Sequence, residues 1–99
     1  MRSLWTQEAL DRLSDIEDFI SQDSPQRAAR FVNYLIQRGE GVSKNPRIGR
    51  IVAEISNPNV KMIIAQKCRI VYKIQENEIE ILTVFEGHKL LSLEELRIE

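Results

Sequence analysis

The chain has 99 residues, of which 42% are hydrophobic and 29% are charged, and its formal net charge at pH 7 is −1. These values are typical of one globular domain, which we assign to residues 1–99, and no apolar run approaches the ~18 residues of a membrane span. No apolar signal sequence follows the first residues, and the single cysteine, Cys68, excludes an internal disulfide. We therefore expect a reducing, cytoplasmic setting, with no membrane contact, no metal and no cofactor.

The charge is unevenly distributed along the chain. Residues 44–73 carry seven basic side chains and one acid, a net charge of +6, whereas residues 1–43 carry −2 and residues 74–99 carry −5. Two explanations fit this clustering equally well. One is an ordinary solvated surface, and the other is a basic face that binds an acidic partner or nucleic acid. Both interpretations stay open at this point.

The first elements along the chain are a short strand and a helix. Leu4 and Trp5 predict the end of a strand, and Thr6 is a helix cap with acidic residues in the turn that follows it. The next apolar residues recur at spacings of four, three and four, with charged residues on the opposite face: Ala9, Leu13, Ile16 and Ile20. The segment therefore predicts an amphipathic helix that stops within residues 21–24.

A second helix is predicted to begin at Ser24-Pro25. Serine caps a helix, and proline fits its first position because the missing N–H has no partner there. An apolar stripe continues to Val42, although Gly39 and Gly41 weaken the last turn. Two helices joined by about four residues form an antiparallel helical hairpin, which we expect to pack on a sheet.

The second half of the chain has loop and strand patterns. Asn45-Pro46 and Gly49 predict a loop, and residues 51–55 and 60–64 predict two strands separated by a polar turn.

Residues 67–74 and 79–85 predict a β-hairpin. Both runs are rich in β-branched and aromatic residues, and a short polar link separates them. The sequence therefore predicts the α+β class: an N-terminal strand and a two-helix antiparallel hairpin packed on a twisted, mainly antiparallel sheet of three to four strands.

Arg69 is an unexpected residue for a strand that is otherwise apolar. Its guanidinium either reaches water, pairs across the sheet with Glu54 or Glu80, or faces a surface that binds an anionic group. An exposed ion pair contributes only ~0–1 kcal/mol, so stability alone explains this arginine poorly.

Four other residues have a structural interpretation, and two of them, Cys68 and His88, have a chemical one as well. We expect Cys68 to be a small core residue rather than a nucleophile, and Trp5 and Tyr72 to pack between helices and sheet. His88 is either a surface residue or a general base or proton sensor, since the ordinary pKa of histidine is ~6.5.

Several short segments occur in the order and spacing of a known family. They are Leu4-Trp5-Thr6 with Ala9, Leu13 and Ile16; Ser24-Pro25 with Ala28, Ala29 and Phe31; Asn45-Pro46 with Gly49-Arg50; Arg69-Ile70-Val71-Tyr72; and Ile81-Leu82-Thr83-Val84 with Gly87. Over residues 4 to about 91 the chain resembles the ParE/RelE superfamily of toxins from type II toxin–antitoxin modules, and the ParE branch in particular. The fold of that family, a helical hairpin on a twisted antiparallel sheet, agrees with the fold predicted above.

The resemblance implies one of two activities. RelE-like members cleave messenger RNA on the ribosome with several basic residues around one phosphate, and ParE-like members inhibit DNA gyrase by binding it. Arg69 matches the central strand arginine of the family, but Val60 and Met62 occupy the two positions where RelE-like enzymes have lysines. Lys61 lies between them and would face the other side of the strand. No tyrosine follows Tyr72, so the nuclease set is incomplete.

The tail of the chain departs from the ParE pattern at two positions. Glu86 stands where that branch commonly has histidine, and Lys89 stands where it has arginine. This composition favours a toxin that acts without catalysis.

The resemblance therefore implies a growth-inhibiting, gyrase-binding toxin of a plasmid-stabilisation module, with a cognate antitoxin as partner in a toxin–antitoxin hetero-oligomer. The antitoxin would lay an amphipathic segment along the helical hairpin and across the sheet. The residues expected to bind target or antitoxin are Arg47, Arg50, Lys61, Lys67, Arg69, Lys73 and Lys89. One alternative is a ribosome-dependent mRNA endoribonuclease, with the ribosome and its message as partners and with Arg69, Lys61, Lys67, Lys89 and His88 as catalytic residues. Another is a family member that has lost toxicity and persists as a binding module.

Overall fold

Residues 1–87 are described by the structure, a computed structural model. The elements, in chain order, are β1 (Arg2–Trp5), α1 (Gln7–Ser21), α2 (Pro25–Gly41), two 3-10 turns (Val42–Lys44 and Pro46–Ile48), β2 (Arg50–Ile51), β3 (Val60–Ala65), β4 (Cys68–Ile74) and β5 (Glu78–Glu86). None of the helices in this range is long and apolar enough to cross a membrane. The predictions for His88 and Lys89 fall outside the described residues.

The strands form one sheet in the order β1-β5-β4-β3-β2. β1 pairs with β5 in parallel, and every other neighbouring pair is antiparallel. The predicted α+β class and the β4–β5 hairpin are confirmed, but the sheet has five strands rather than three to four. The additional member is the predicted N-terminal strand β1, which joins the sheet beside β5, while the edge strand predicted at residues 51–55 is reduced to the two-residue β2 beside β3.

Residues 51–55 do not form the predicted strand. Only Arg50 and Ile51 pair with β3, and a turn follows in which the Ile55 N–H donates to the Val52 carbonyl at 3.0 Å. Val52 and Ile55 are nevertheless 2% and 4% exposed, and they pack on the sheet with Val60. The apolar pattern of this segment therefore reflected burial rather than strand pairing.

Both predicted helix starts are confirmed. The Thr6 hydroxyl accepts the Ala9 N–H at 3.1 Å and donates to the Leu82 carbonyl at 2.9 Å, so the cap also ties α1 to β5. The Ser24 hydroxyl accepts the Arg27 N–H at 3.2 Å, with Pro25 at the start of α2. The two helices pack against each other and form the expected hairpin.

The close approach of α2 to β1 explains why α2 tolerates a glycine near its end. A Cβ at Gly39 would lie 2.5 Å from the Cζ2 atom of Trp5, and the Ser3 hydroxyl donates to the Gly39 carbonyl at 3.0 Å. A glycine destabilises a helix by roughly 1 kcal/mol relative to alanine. Here the absence of a side chain lets α2 contact β1.

The main core lies between the helices and the sheet. Tyr72 is fully buried in it, and its Oη donates to the Pro46 carbonyl at 2.6 Å and accepts the Gly49 N–H at 2.9 Å. Trp5 packs on the same cluster, as predicted, and Cys68 is 2% exposed within it. We call this side of the sheet the helix face and the other side the outer face.

A β-bulge in β5 changes which residues face the helices. Val71 pairs with Thr83 and Tyr72 with Ile81, so Leu82 is the extra residue. Ile79, Ile81 and Val84 all belong to the helix-face core, which strict alternation does not allow. The bulge shifts the alternation by one, and Phe85 consequently lies on the outer face.

Candidate binding site around Arg69

Arg69 is the second residue of β4, next to the turn that joins β3 and β4, and it lies on the outer face of the sheet. Its neighbours Cys68 and Ile70 belong to the helix-face core, so the alternation of β4 directs Arg69 away from the helices. Opposite it are Ile64 on β3 and Phe85 on β5. Ile64 is 44% exposed and Phe85 is half-buried, so the arginine has apolar neighbours on both sides.

The guanidinium of Arg69 lies directly against Gly87. A Cβ at Gly87 would be 2.8 Å from Nη1 and 2.9 Å from Cζ of Arg69. The Gly87 N–H donates to the Lys67 carbonyl at 2.8 Å, which holds the end of β5 beside β4. Only a glycine at residue 87 leaves room for the guanidinium in this position.

Two other cations share the outer face with Arg69. Lys73 is on the same strand four residues later, half-buried and opposite Glu80. Arg50 is exposed on β2 opposite Met62, which itself lies opposite Val71 of the outer face. We call Arg50, Arg69 and Lys73 the outer-face cations. Within residues 1–87, no ion pair joins Arg69 to Glu80 or Glu54, the two partners considered from the sequence.

The remaining predicted binding residues are not on this face. Lys61 pairs with Tyr72 and therefore faces the helix side, as its position between Val60 and Met62 predicted. Lys67 is exposed in the β3–β4 turn, and Arg47 is exposed in the second 3-10 turn. Lys89 and His88 lie beyond the described range. The structure therefore groups three of the predicted residues and separates Lys61 from Arg69 by the thickness of the sheet.

A groove on the helix face is the second surface of interest, and the sequence did not reveal it. Its volume is about 870 Å³, and it runs between the helical hairpin and the ends of β4 and β5. Its apolar helical lining consists of Ile16, Phe19, Ile20, Phe31 and Tyr34. Its charged lining is mixed, with basic Arg12, Arg27, Arg30 and Lys67 and acidic Glu8, Asp15 and Glu86. Phe19 is 71% exposed, and the rings of Phe31 and Tyr34 are stacked with centroids 6.0 Å apart. The helical stripe of Ile16 and Ile20 indicated core residues, but both are only half-buried, because they border this groove.

The groove contains no reactive centre among the described residues. Burial raises the pKa of the Cys68 thiol above its ordinary value of 9.0, the charge of Glu86 raises it further, and Arg69 opposes both. The thiol is therefore protonated at neutral pH, which agrees with the prediction of a core residue. No group of three or more metal-binding side chains lies together within residues 1–87.

Comparison with known proteins identifies the family. Residues 4–91 match the family described as the ParE toxin of the type II toxin-antitoxin system, parDE. The chain belongs to the ParE toxin family. The match confirms the resemblance to the ParE branch, and its range contains both Arg69 and Gly87.

A solved structure supports the ParE fold independently. The structure described as the chromosomal ParDE TA system from P. aeruginosa aligns with a TM-score of 0.72 and 21% sequence identity, covering 87% of this chain and 95% of that chain. At this level of identity, the likeness is one of fold. A search of curated protein sequences found no significant match.

Proposed function

We propose that this ParE family member is the toxin of a type II toxin–antitoxin module, that it inhibits DNA gyrase in the cytoplasm by binding it, and that a cognate antitoxin neutralises it. Membership of the ParE family over residues 4–91 is the observation that carries the proposal. The outer-face cations supply a surface that suits an acidic region of the target. The molecule would act as a single domain, and a module of this kind stabilises the plasmid or replicon that encodes it.

The arrangement of charges supports binding over catalysis. Cleavage of a phosphodiester needs several groups that converge on one phosphate, since stabilising the developing charge is the largest contribution to the rate. Arg69 and Lys61 face opposite sides of the sheet and do not converge. Lys67 lies in a turn rather than on the outer face.

The helix-face groove supports the second half of the proposal. Its apolar helical lining suits the apolar face of an amphipathic antitoxin segment, laid between the helical hairpin and the end of β5, and its mixed basic and acidic side chains suit polar residues at the edges of that segment. Phe19 is the most exposed of the large apolar side chains within residues 1–87, and it would be the anchor of this interface. The resulting complex would be a toxin–antitoxin hetero-oligomer.

A supercoiling assay tests the target. We expect the purified protein to inhibit gyrase and to produce gyrase–DNA cleavage complexes, and we expect Arg69→Ala to reduce inhibition by about tenfold or more, the effect of losing an interface hot spot. Lys44→Ala is the matched control, because Lys44 is an exposed cation of the same basic segment away from the outer face. A protein that leaves gyrase untouched contradicts the assignment of the target.

Two further assays test the alternative functions. A ribosome-dependent nuclease would give codon-specific cuts in translated message by primer extension, and Arg69→Ala would abolish them. A member without toxicity would leave growth unchanged when it is induced without the neighbouring open reading frame.

A further inference from the structure

We infer that Gly87 is a positioning residue that fixes where the Arg69 guanidinium is presented on the outer face, so that this site takes a carboxylate of a protein partner in one orientation. The inference rests on the proposed function, because it assumes that Arg69 contacts the target. It adds that the end of β5 is part of the site, and that the site is directional rather than a diffuse basic patch.

The contact between Gly87 and Arg69 involves a fixed backbone and a movable side chain. The hydrogen bond from the Gly87 N–H to the Lys67 carbonyl, 2.8 Å long, holds the backbone of residue 87 beside β4. Three guanidinium atoms lie 2.8–3.1 Å from the place of a Cβ at this residue. Because carbon atoms do not approach other atoms so closely, any side chain at residue 87 displaces the guanidinium. The guanidinium is the end of a flexible side chain, so it moves while the strand stays.

The need for glycine at this position is spatial rather than conformational. No glycine among the described residues has a positive φ angle, so alanine can adopt the backbone conformation of Gly87. Gly41 provides the contrast, because a Cβ there would meet no atom within 4 Å. The same substitution at the two glycines therefore separates the displacement of Arg69 from the general effect of adding a methyl group.

The surroundings of Arg69 indicate the chemistry of the ligand. A guanidinium is a planar fork whose parallel N–H groups match the two oxygens of a carboxylate, so its orientation matters more than that of an ammonium group. The apolar neighbours Ile64 and Phe85 flank the fork on β3 and β5. Apolar flanks suit the acidic side chain of a protein interface, where a buried charged hydrogen bond is surrounded by packed carbon atoms.

Four variants test this inference: Gly87→Ala, Arg69→Ala, the double variant and Gly41→Ala. Growth arrest on induction and inhibition of gyrase measure activity, and the Arg69 Nε–Hε resonance in NMR spectra reports the position of the guanidinium. We expect Gly87→Ala to shift that resonance and to weaken inhibition about tenfold, the order of a moderate hot-spot loss, with the amide spectrum otherwise retained. Gly41→Ala should do neither. The double variant should be no weaker than Arg69→Ala, because Gly87 acts through Arg69.

Three results would overturn the inference. An unchanged Nε–Hε resonance in Gly87→Ala shows that residue 87 does not position the guanidinium, whatever the target is. A Gly87→Ala effect that persists in the Arg69→Ala background shows that Gly87 acts by another route. Full activity of Arg69→Ala shows that Arg69 does not contribute to binding of the target. Growth arrest without gyrase inhibition contradicts only the proposed target, so this failure is distinguishable from the other three.

Discussion

At the residue scale, the environment of a polar atom determines what its loss costs. The Tyr72 hydroxyl bridges two backbone groups across the loop before β2, donating to Pro46 and accepting from Gly49 at 2.6 and 2.9 Å. The ring is fully buried, so water cannot replace these contacts.

Removing that hydroxyl should therefore destabilise the fold. We expect Tyr72→Phe to lower the free energy of unfolding by about 1–3 kcal/mol, because it removes two hydrogen bonds to the backbone of the half-buried residues Pro46 and Gly49. Tyr34→Phe is the control, since the Tyr34 ring is half-buried and its hydroxyl has no hydrogen bond within the described residues. Urea denaturation measures both, and equal losses in the two variants would argue against the bridge.

The Cys68 thiol gives the stability a pH dependence in alkali. Burial and Glu86 raise its pKa above 9.0, so the folded protein keeps the proton at a pH where the unfolded chain has lost it. Its contribution is complete below about pH 9, the ordinary pKa of the group, and is lost as the pH rises through the folded pKa. We expect the free energy of unfolding to fall less steeply above pH 9 in Cys68→Ala than in the parent chain. Burial also raises the pKa of Tyr72, so part of the decline should remain in the variant.

At the element scale, two glycines of α2 should respond in opposite directions to the same change. Gly39→Ala places a methyl group 2.5 Å from the Trp5 ring, so we expect a loss of stability despite the better helix propensity of alanine. Gly41→Ala meets no atom within 4 Å and should gain about 0.5–1 kcal/mol. Thermal unfolding of the pair decides this, and equal shifts would show that α2 does not touch β1 as described.

The elements also show which parts of the fold the sequence predicts and which it does not. Local chemistry predicts the caps at Thr6 and Ser24, the β-hairpin and the outward direction of Arg69, since each depends on residues a few positions apart. The bulge at Leu82 depends on cross-strand register, which alternation in one strand does not report. The contact between Gly87 and Arg69 depends on that register as well. Arg69 could therefore be singled out from the sequence as a candidate site residue, whereas its contact with residue 87 could not.

At the scale of the whole molecule, the two surfaces lie on opposite sides of the sheet. The outer-face cations would contact the target, and the groove bordered by Phe19 would receive the antitoxin. Substitutions on the two sides should therefore separate toxicity from neutralisation.

Phe19→Ser tests this separation. Because Phe19 is 71% exposed, we expect the free energy of unfolding to change by no more than about 0.5 kcal/mol and growth arrest to persist. Binding of the proposed cognate antitoxin should weaken about tenfold or more by calorimetry. Leu10→Ser is the control, since Leu10 is an exposed apolar residue of the same helix and is not among the residues that line the groove. An unchanged affinity of Phe19→Ser for the antitoxin would show that the antitoxin binds another surface.

The parallel pairing of β1 with β5 has a consequence for biosynthesis. Arg2 lies opposite Glu78, so β1 has no strand beside it until the ribosome has also made β5. At ~5–20 residues per second, that wait lasts roughly 4–15 s. The sheet is therefore completed only after β5 has been made, and a nascent chain that has not reached β5 has an incomplete outer face. An antitoxin that neutralises the protein as proposed would have this interval in which to meet each new molecule before its sheet is complete.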